Sequence, residues 1–233
     1  MNLASKRVVA EGDSWFDYPW WLMTGGGVVS HLERLAGISI KNLANAGDES
    51  RFMLSLKQRD KLEKELKTAD VLLFSGGGND IAGDQFCVWL DDNKGQGYYN
   101  AVDESRLKAA LDFTMAMYDD LAMIRDEINP NCLIVTHGYD FPIPSNDGVL
   151  WLGPWLKPSL DYCGWKDSTA QFNIARQVLI ALNDRLIGWK AKNHLHINTQ
   201  GTLGKDDWQN EIHPNRKGFD KIARKFLSAL DTL

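Results

Sequence analysis

Five short strand-like segments, the first and third of them apolar runs, separated by longer segments of helical period, constrain this chain more than any other feature. The first opens the stretch VVAEGDSW at residues 8–15, and the others cover residues 38–43, 71–74, 132–136 and 195–198. Each is too short for a helix and is bounded by glycine, asparagine or proline, as strands buried on both faces are. Between them, apolar residues recur every three or four positions. Val28, Leu32 and Leu35 share one face, and Leu62, Leu66 and Ala69 share another. A long stripe of Leu107, Leu111, Tyr118, Leu121 and Ile128 starts near Asp103 and stops at Asn129-Pro130. The clearest helix carries Phe172, Ala175, Leu179, Leu182, Leu186 and Trp189, with Ser168 or Thr169 as its expected cap, and Phe219, Ile222, Phe226 and Leu230 define a closing helix. Strands alternating with helices require parallel pairing through right-handed crossovers, hence an α/β chain folded as a three-layer α/β/α sandwich. At 233 residues, 44% of them apolar, the chain suits one domain spanning 1–233.

In open parallel sheets, ligands bind outside the carboxyl ends of the strands, so the residues leaving each run matter most. The first run delivers Ser14 to a sharp turn through Gly12, which makes Ser14 a candidate nucleophile, although a turn serine capping the next helix would read the same way. Asp13, adjacent on an extended segment, points to the opposite side and reads as a turn-forming acceptor. The second run leads into Asn45-Ala46-Gly47, and the third breaks into Ser75-Gly76-Gly77-Gly78-Asn79-Asp80. Late in the chain, WQNEIHP at 208–214 places His213 just before the final helix.

Two segments fit no regular period. Residues 81–102 are irregular and aromatic, and loops that long in a compact domain are more often functional than idle. Residues 139–167 hold four prolines and Trp151, Trp155 and Trp165, an excursion over the sheet edge that reads as a wall or lid. Tryptophans in such segments more often pack in the core or a lid than meet substrate, and their crowding here, beside the cluster of Trp15, Phe16, Tyr18, Trp20 and Trp21, shifts that balance toward substrate contact.

The formal charge of −5 argues against a nucleic-acid or anionic-membrane partner and leaves a small-molecule or neutral substrate. Gly25-Gly26-Gly27 matches neither phosphate-cradling pattern, so no nucleotide cofactor is expected. His31, His137, His194 and His196 lack carboxylates at metal-ligand spacing, and no metal is expected. Cys87, Cys132 and Cys163 show neither disulfide-framework nor zinc spacing and read as free thiols. With no leader-length apolar segment at the amino terminus and no run long enough to span a bilayer, the expectation is a cytoplasmic protein, although a chain already trimmed of a leader would read identically.

Taken in order, GDS, NAG, GGND and the histidine block resemble the four blocks of the SGNH (GDSL-type) hydrolases, and the resemblance spans almost the whole chain. It implies a five-stranded parallel sheet of flavodoxin-like order and an esterase or acylhydrolase acting on a small-molecule, lipid or carbohydrate ester without a cofactor. By the same resemblance Ser14 is the nucleophile, His213 the base, and the backbone N–H groups of Ser14 and Gly47 with the Asn79 amide the oxyanion donors. One position departs from the pattern. Where the family's last block carries aspartate in DxxH, this chain has Asn210. The group orienting His213 is then Asn210 or a backbone carbonyl, giving a dyad, with Asp206 and Asp207 as upstream alternatives that would require the chain to double back. The same departure leaves room for a non-catalytic ligand-binding descendant, and an acyltransferase would use the same site.

Overall fold

The computed structural model describes residues 3–19, 22, 24–95, 97–149 and 152–232. All five segments form strands: β1 (Val8–Gly12), β2 (Ile40–Asn42), β3 (Val71–Ser75), β4 (Leu133–His137) and β5 (His194–Ile197). They build one parallel sheet in the order β2-β1-β3-β4-β5, the flavodoxin-like order, with its switch point between β1 and β3. Only β2 is markedly shorter than its segment. The chain entering it is held by the preceding helix, with Ile38 N–H donating to the Glu33 carbonyl and Ile40 N–H to the Glu33 carboxylate.

Helices cover both faces. They are α1 (Val28–Ala36), α2 (Ser50–Met53), α3 (Leu56–Leu66), α4 (Gly78–Ile81), α5 (Glu104–Ile128), α6 (Lys157–Tyr162), α7 (Ser168–Gly188) and α8 (Arg216–Asp231). On one face α1 packs against α8, and the His137 ring of β4 stacks on Phe16 and meets Phe226 of α8. On the other, α5 packs between α3 and α7. There Phe74 of β3 meets Tyr118 edge-on, and Thr136 bonds His196, which reaches Asn183 of α7. The result is the three-layer sandwich that strand and helix alternation demands. No helix among the described residues is long and apolar enough to cross a membrane.

Two details of α7 differ from the sequence reading. Its cap is Asp167, whose carboxylate accepts from Ala170 N–H at 2.8 Å, in place of Ser168 or Thr169. A carboxylate is the stronger acceptor at the positive end of a helix. Trp189 falls just past the helix end, where its ring packs on Tyr118 and its indole N–H donates to Asp119.

Glycine at position 12 lets the carboxyl ends of β1 and β3 close up. A Cβ there would lie 2.7 Å from both the Cβ and the carbonyl oxygen of Ser75. The residue before it, Glu11, is wholly buried in the middle layer and accepts hydrogen bonds from Gln58 Nε2 at 2.7 Å and Gly12 N–H at 2.9 Å. Desolvation outweighs these bonds and pushes its carboxyl up to about 8. The folded chain therefore keeps a proton that the unfolded chain releases near 4.5, and the Glu11 contribution to stability falls as pH rises from about 5 to 8. Glu11→Gln cannot ionise and should flatten that slope while lowering stability near pH 5, because the amide nitrogen cannot accept the bond it replaces. Urea midpoints measured from pH 5 to 8 check this. The slope that remains should lie below about pH 6.5 and run upward with pH, because His137, His194, His196 and His213, pushed down by burial to about 3 to 4, outweigh the opposite contribution of Asp13.

Candidate functional site

The carboxyl ends of β1, β3 and β4 are joined by one buried network. Asp13 accepts from Trp15 N–H at 3.0 Å, from the Ser75 hydroxyl at 2.9 Å and from the Tyr139 hydroxyl at 2.6 Å. Since Ser75 spends its one proton on Asp13, the 2.8 Å contact between His137 Nε2 and Ser75 has the ring donating. His137 Nδ1 then accepts from Tyr139 N–H at 3.2 Å, which fixes a neutral ring, and burial pushes this histidine down to about 3. Asp13 is raised to about 6 by burial, held that low by its three donors. Tyr139 takes a left-handed backbone, φ +57°, to place its hydroxyl there, and the same oxygen accepts from Gly78 N–H at 3.1 Å. Sequence reasoning gave Asp13 its turn role but passed over Tyr139 and Ser75, which carry the network.

On the other side of this turn Ser14 Oγ lies 2.8 Å from His213 Nε2, two residues 199 positions apart in the chain. His213 Nδ1 is 3.0 Å from Asn210 Oδ1. That same oxygen accepts from the backbone N–H groups of Ile212 and His213, at 3.2 and 3.0 Å. Backbone N–H groups can only donate, so the amide must present its oxygen, and the ring must carry its proton on Nδ1. Nε2 is thereby an acceptor for the serine proton. The amide nitrogen donates to the Tyr18 hydroxyl at 3.1 Å, and the Tyr18 ring lies 4.6 Å from the imidazole. Asp207 is elsewhere, engaged with Lys221 and the Gly204 N–H, and Asp206 is exposed with its carbonyl accepting from Asn215. Burial pushes His213 down to about 3, and no carboxylate among the described residues offsets it.

The block around His213 is locked to the nucleophile turn. Trp15 Nε1 donates to the Ile212 carbonyl at 3.1 Å, and Gln209 N–H donates to the His213 carbonyl at 2.9 Å within the loop closed by Trp208 and Pro214. Gly47, with φ +90°, and Asn79 line the same cavity of about 210 Å³ as Ser14 and His213. The Asn79 amide donates to the Asp48 carbonyl at 2.9 Å, which holds the turns after β2 and β3 against each other. Ser14, Gly47, Asn79, Asn210 and His213 are thus gathered at one sheet edge. Trp20, Trp21 and Trp151 lie outside the described residues. Trp155 packs edge-on against His213 at 5.1 Å, whereas Trp165 is buried with its indole on the Asp91 carbonyl.

Glu211, inside the histidine block, is the residue whose role the sequence reading missed. Its buried carboxylate accepts from the backbone N–H groups of Ser145, Trp155, Leu156 and Lys157, all in the 139–167 excursion. Its own carbonyl takes the Ile143 N–H and its N–H bonds the Asp147 carbonyl, at 3.1 and 3.2 Å. Burial raises its pKa, and the four donors oppose that rise.

Solved structures of lipases and of a protein assigned to the SGNH hydrolases share this fold. A lipase from a goat rumen metagenome superposes with a TM-score of 0.64 at 18% identity, covering 97% of each chain. A phospholipase A1 from Streptomyces albidoflavus gives 0.55 at 17% identity over 97% of this chain and 99% of its own. A protein from Slackia heliotrinireducens assigned to the SGNH hydrolases gives 0.58 at 10% identity, over 97% and 98%. No family model and no curated protein matches the sequence.

Glu211→Ala should lower stability by about 3 kcal/mol, since it strips the acceptor from four N–H groups, one buried and three half-buried. Glu211→Gln, which keeps one acceptor oxygen, should lose less. Urea denaturation of the two variants beside the parent protein measures the difference.

Proposed function

We propose that the protein is a serine esterase or acylhydrolase. The observation that carries this reading is the unbroken line from Ser14 Oγ through the His213 ring to Asn210 Oδ1, with the ring proton on the far side from the serine. In the proposed reaction His213 Nε2 takes the Ser14 proton as Oγ attacks the ester carbonyl. The resulting oxyanion is held by the N–H groups of Ser14 and Gly47 and the Asn79 amide, donors worth on the order of 10² to 10³ in rate each. The imidazolium then gives its proton to the leaving alcohol oxygen, and a water repeats the sequence on the acyl-enzyme. The excursion at 139–167 serves as a wall of the site, with Trp155 against the base. An alcohol in place of that water would make the same site an acyltransferase. The three cysteines, none paired, are in keeping with a cytoplasmic setting.

A fluorophosphonate probe should label the folded protein at Ser14 and leave Ser14→Ala unlabelled. Folded protein that takes no label would overturn the reading.

The second expectation follows from the neutral partner of the base. An imidazole with its pKa near 3 stays unprotonated far below neutrality, so kcat/KM should hold through pH 5, where an ordinary histidine would already be charged. Asn210→Asp places a carboxylate where three N–H groups already converge, and the Tyr18 hydroxyl can turn to donate to it. Because that charge stabilises the imidazolium, the acid limb of the pH profile should move up by about one unit or more. A more basic imidazole is also the better proton acceptor, so kcat near pH 7 should be preserved or raised. A pH-rate profile of both proteins checks direction and size together.

A further inference from the structure

Two cavities meet at Ser14, and they differ in size and in what lines them. The larger, about 210 Å³, contains His213 and Gly47 and is walled by Tyr18, Leu152 and Trp155. The smaller, about 40 Å³, lies on the other side of Ser14 and Asn79 and is closed by Ala82, Leu156, Leu179 and the Tyr139 ring. Ile212, like Ser14 and Asn79, borders both. The smaller cavity holds neither His213 nor Gly47, and its lining is almost wholly apolar.

Resting on the esterase reading, the geometry of the tetrahedral intermediate decides which half of an ester enters which cavity. Its carbon bears the Ser14 oxygen, the oxyanion, the leaving oxygen and the acyl chain. The leaving oxygen must lie beside the His213 ring to receive a proton, which sends the alcohol into the larger cavity. The oxyanion is taken up between Gly47 and Asn79. What remains for the acyl chain is the side without the base, where the small cavity opens. Since one water-sized group needs roughly 10 to 15 Å³ of such space, 40 Å³ holds about three. We infer that the protein is specific for esters of short, unbranched acyl groups of about two to four carbons, joined to a larger alcohol, with Leu179 and Ala82 setting the acyl length.

The walls of the small cavity are fixed. Leu156 and Leu179 are buried, and the N–H of Leu156 is one of those held by the Glu211 carboxylate. Tyr139 is held by Asp13 and Gly78. A longer chain therefore has to displace packed side chains or leave its methylenes in water, and a misfitted methylene can cost up to about tenfold in kcat/KM, less where it stays in water.

A p-nitrophenyl ester series from acetyl to octanoyl keeps the alcohol constant and varies the acyl chain alone. The expected kcat/KM stays within about tenfold from acetyl to butyryl and falls by about 10² or more by octanoyl. Leu179→Ala should lengthen the preferred chain by two carbons or more. Ala82→Leu should raise the acetyl-to-butyryl ratio by about tenfold. Ratios within one variant do not depend on how much of it folds, so poor folding does not blur the comparison. Turnover with a flat profile, a parent optimum at octanoyl, or a Leu179→Ala profile identical to the parent's would overturn the acyl-length assignment and leave the esterase reading standing. Folded protein with no turnover of any member and no fluorophosphonate label would overturn both.

Discussion

The carboxylate of Asp13 is the point on which the carboxyl edge of the sheet depends. Three strands end there, and each supplies a group to it: the turn after β1 through Trp15 N–H, β3 through the Ser75 hydroxyl, and the segment after β4 through Tyr139. A buried carboxylate is tolerated only when its lost hydration is replaced, and these three donors do so well enough that it stays charged at neutral pH although burial lifts it to about 6. The strained backbone of Tyr139 is held by this bond, and with it the N–H of Gly78, next to Asn79. Asp13 and Ser14 are neighbours in a tight turn, closed by the N–H groups of Phe16 and Asp17 on the Asp13 carbonyl, so anchoring the Asp13 side chain fixes the backbone from which Ser14 projects. The proposed nucleophile owes its position to a residue that takes no part in the proposed chemistry.

The proposed base is held in a different way, by a neutral group. Asn210 does everything a carboxylate would do geometrically: it selects the ring tautomer, aims Nε2 at the serine and ties the loop to itself through two backbone bonds. It supplies no charge. The imidazolium formed during proton transfer must therefore be stabilised by the transition state itself and by the surrounding dipoles, in a site that burial makes hostile to it. Loss of the charge is a smaller penalty than loss of the tautomer, because a wrongly oriented amide would place a proton where the serine must donate. The order of this site is thus retained while its driving force is reduced.

Much of this was legible in the chain beforehand, for a physical reason. Strands covered on both faces must be continuously apolar, and the turns leaving them need glycine and small polar residues, so Val8–Gly12 and Val71–Ser75 announce both the sheet and the turns that carry Ser14 and Asn79. The spacing from Asn210 to His213 is local and is read directly. What could not be read were side chains whose environment is assembled from afar. Glu11 looks like an exposed position in a strand until Gln58 of α3 is laid over it. Glu211 looks like a solvated neighbour of the histidine until four N–H groups from residues 145–157 converge on it. Tyr139 carries no signal of its left-handed backbone, since its strain is set by a bond to a residue 126 positions away. A charge in a polar stretch is by default a solvated charge, and only long-range donors reverse that default.

Those distant carboxylates also determine how the long connections behave. Asp140 accepts from Phe141 N–H and from three successive N–H groups at 201–203, all within 2.8 Å, and so ties the chain leaving β5 to the chain leaving β4. Glu211 does the same for the excursion at 139–167, fastening it to the loop that holds the histidine. A backbone stretch rich in proline and tryptophan has few partners for its own N–H groups, and one buried carboxylate can serve several at once where a carbonyl of the sheet could serve one or two. Opening such a segment must break several hydrogen bonds to one carboxylate together, and rehydration of the carboxylate and the donors offsets part of that cost. On the proposed reading the wall of the site is therefore present before substrate arrives, and selection rests on the shape of fixed cavities and needs no closure around the ligand.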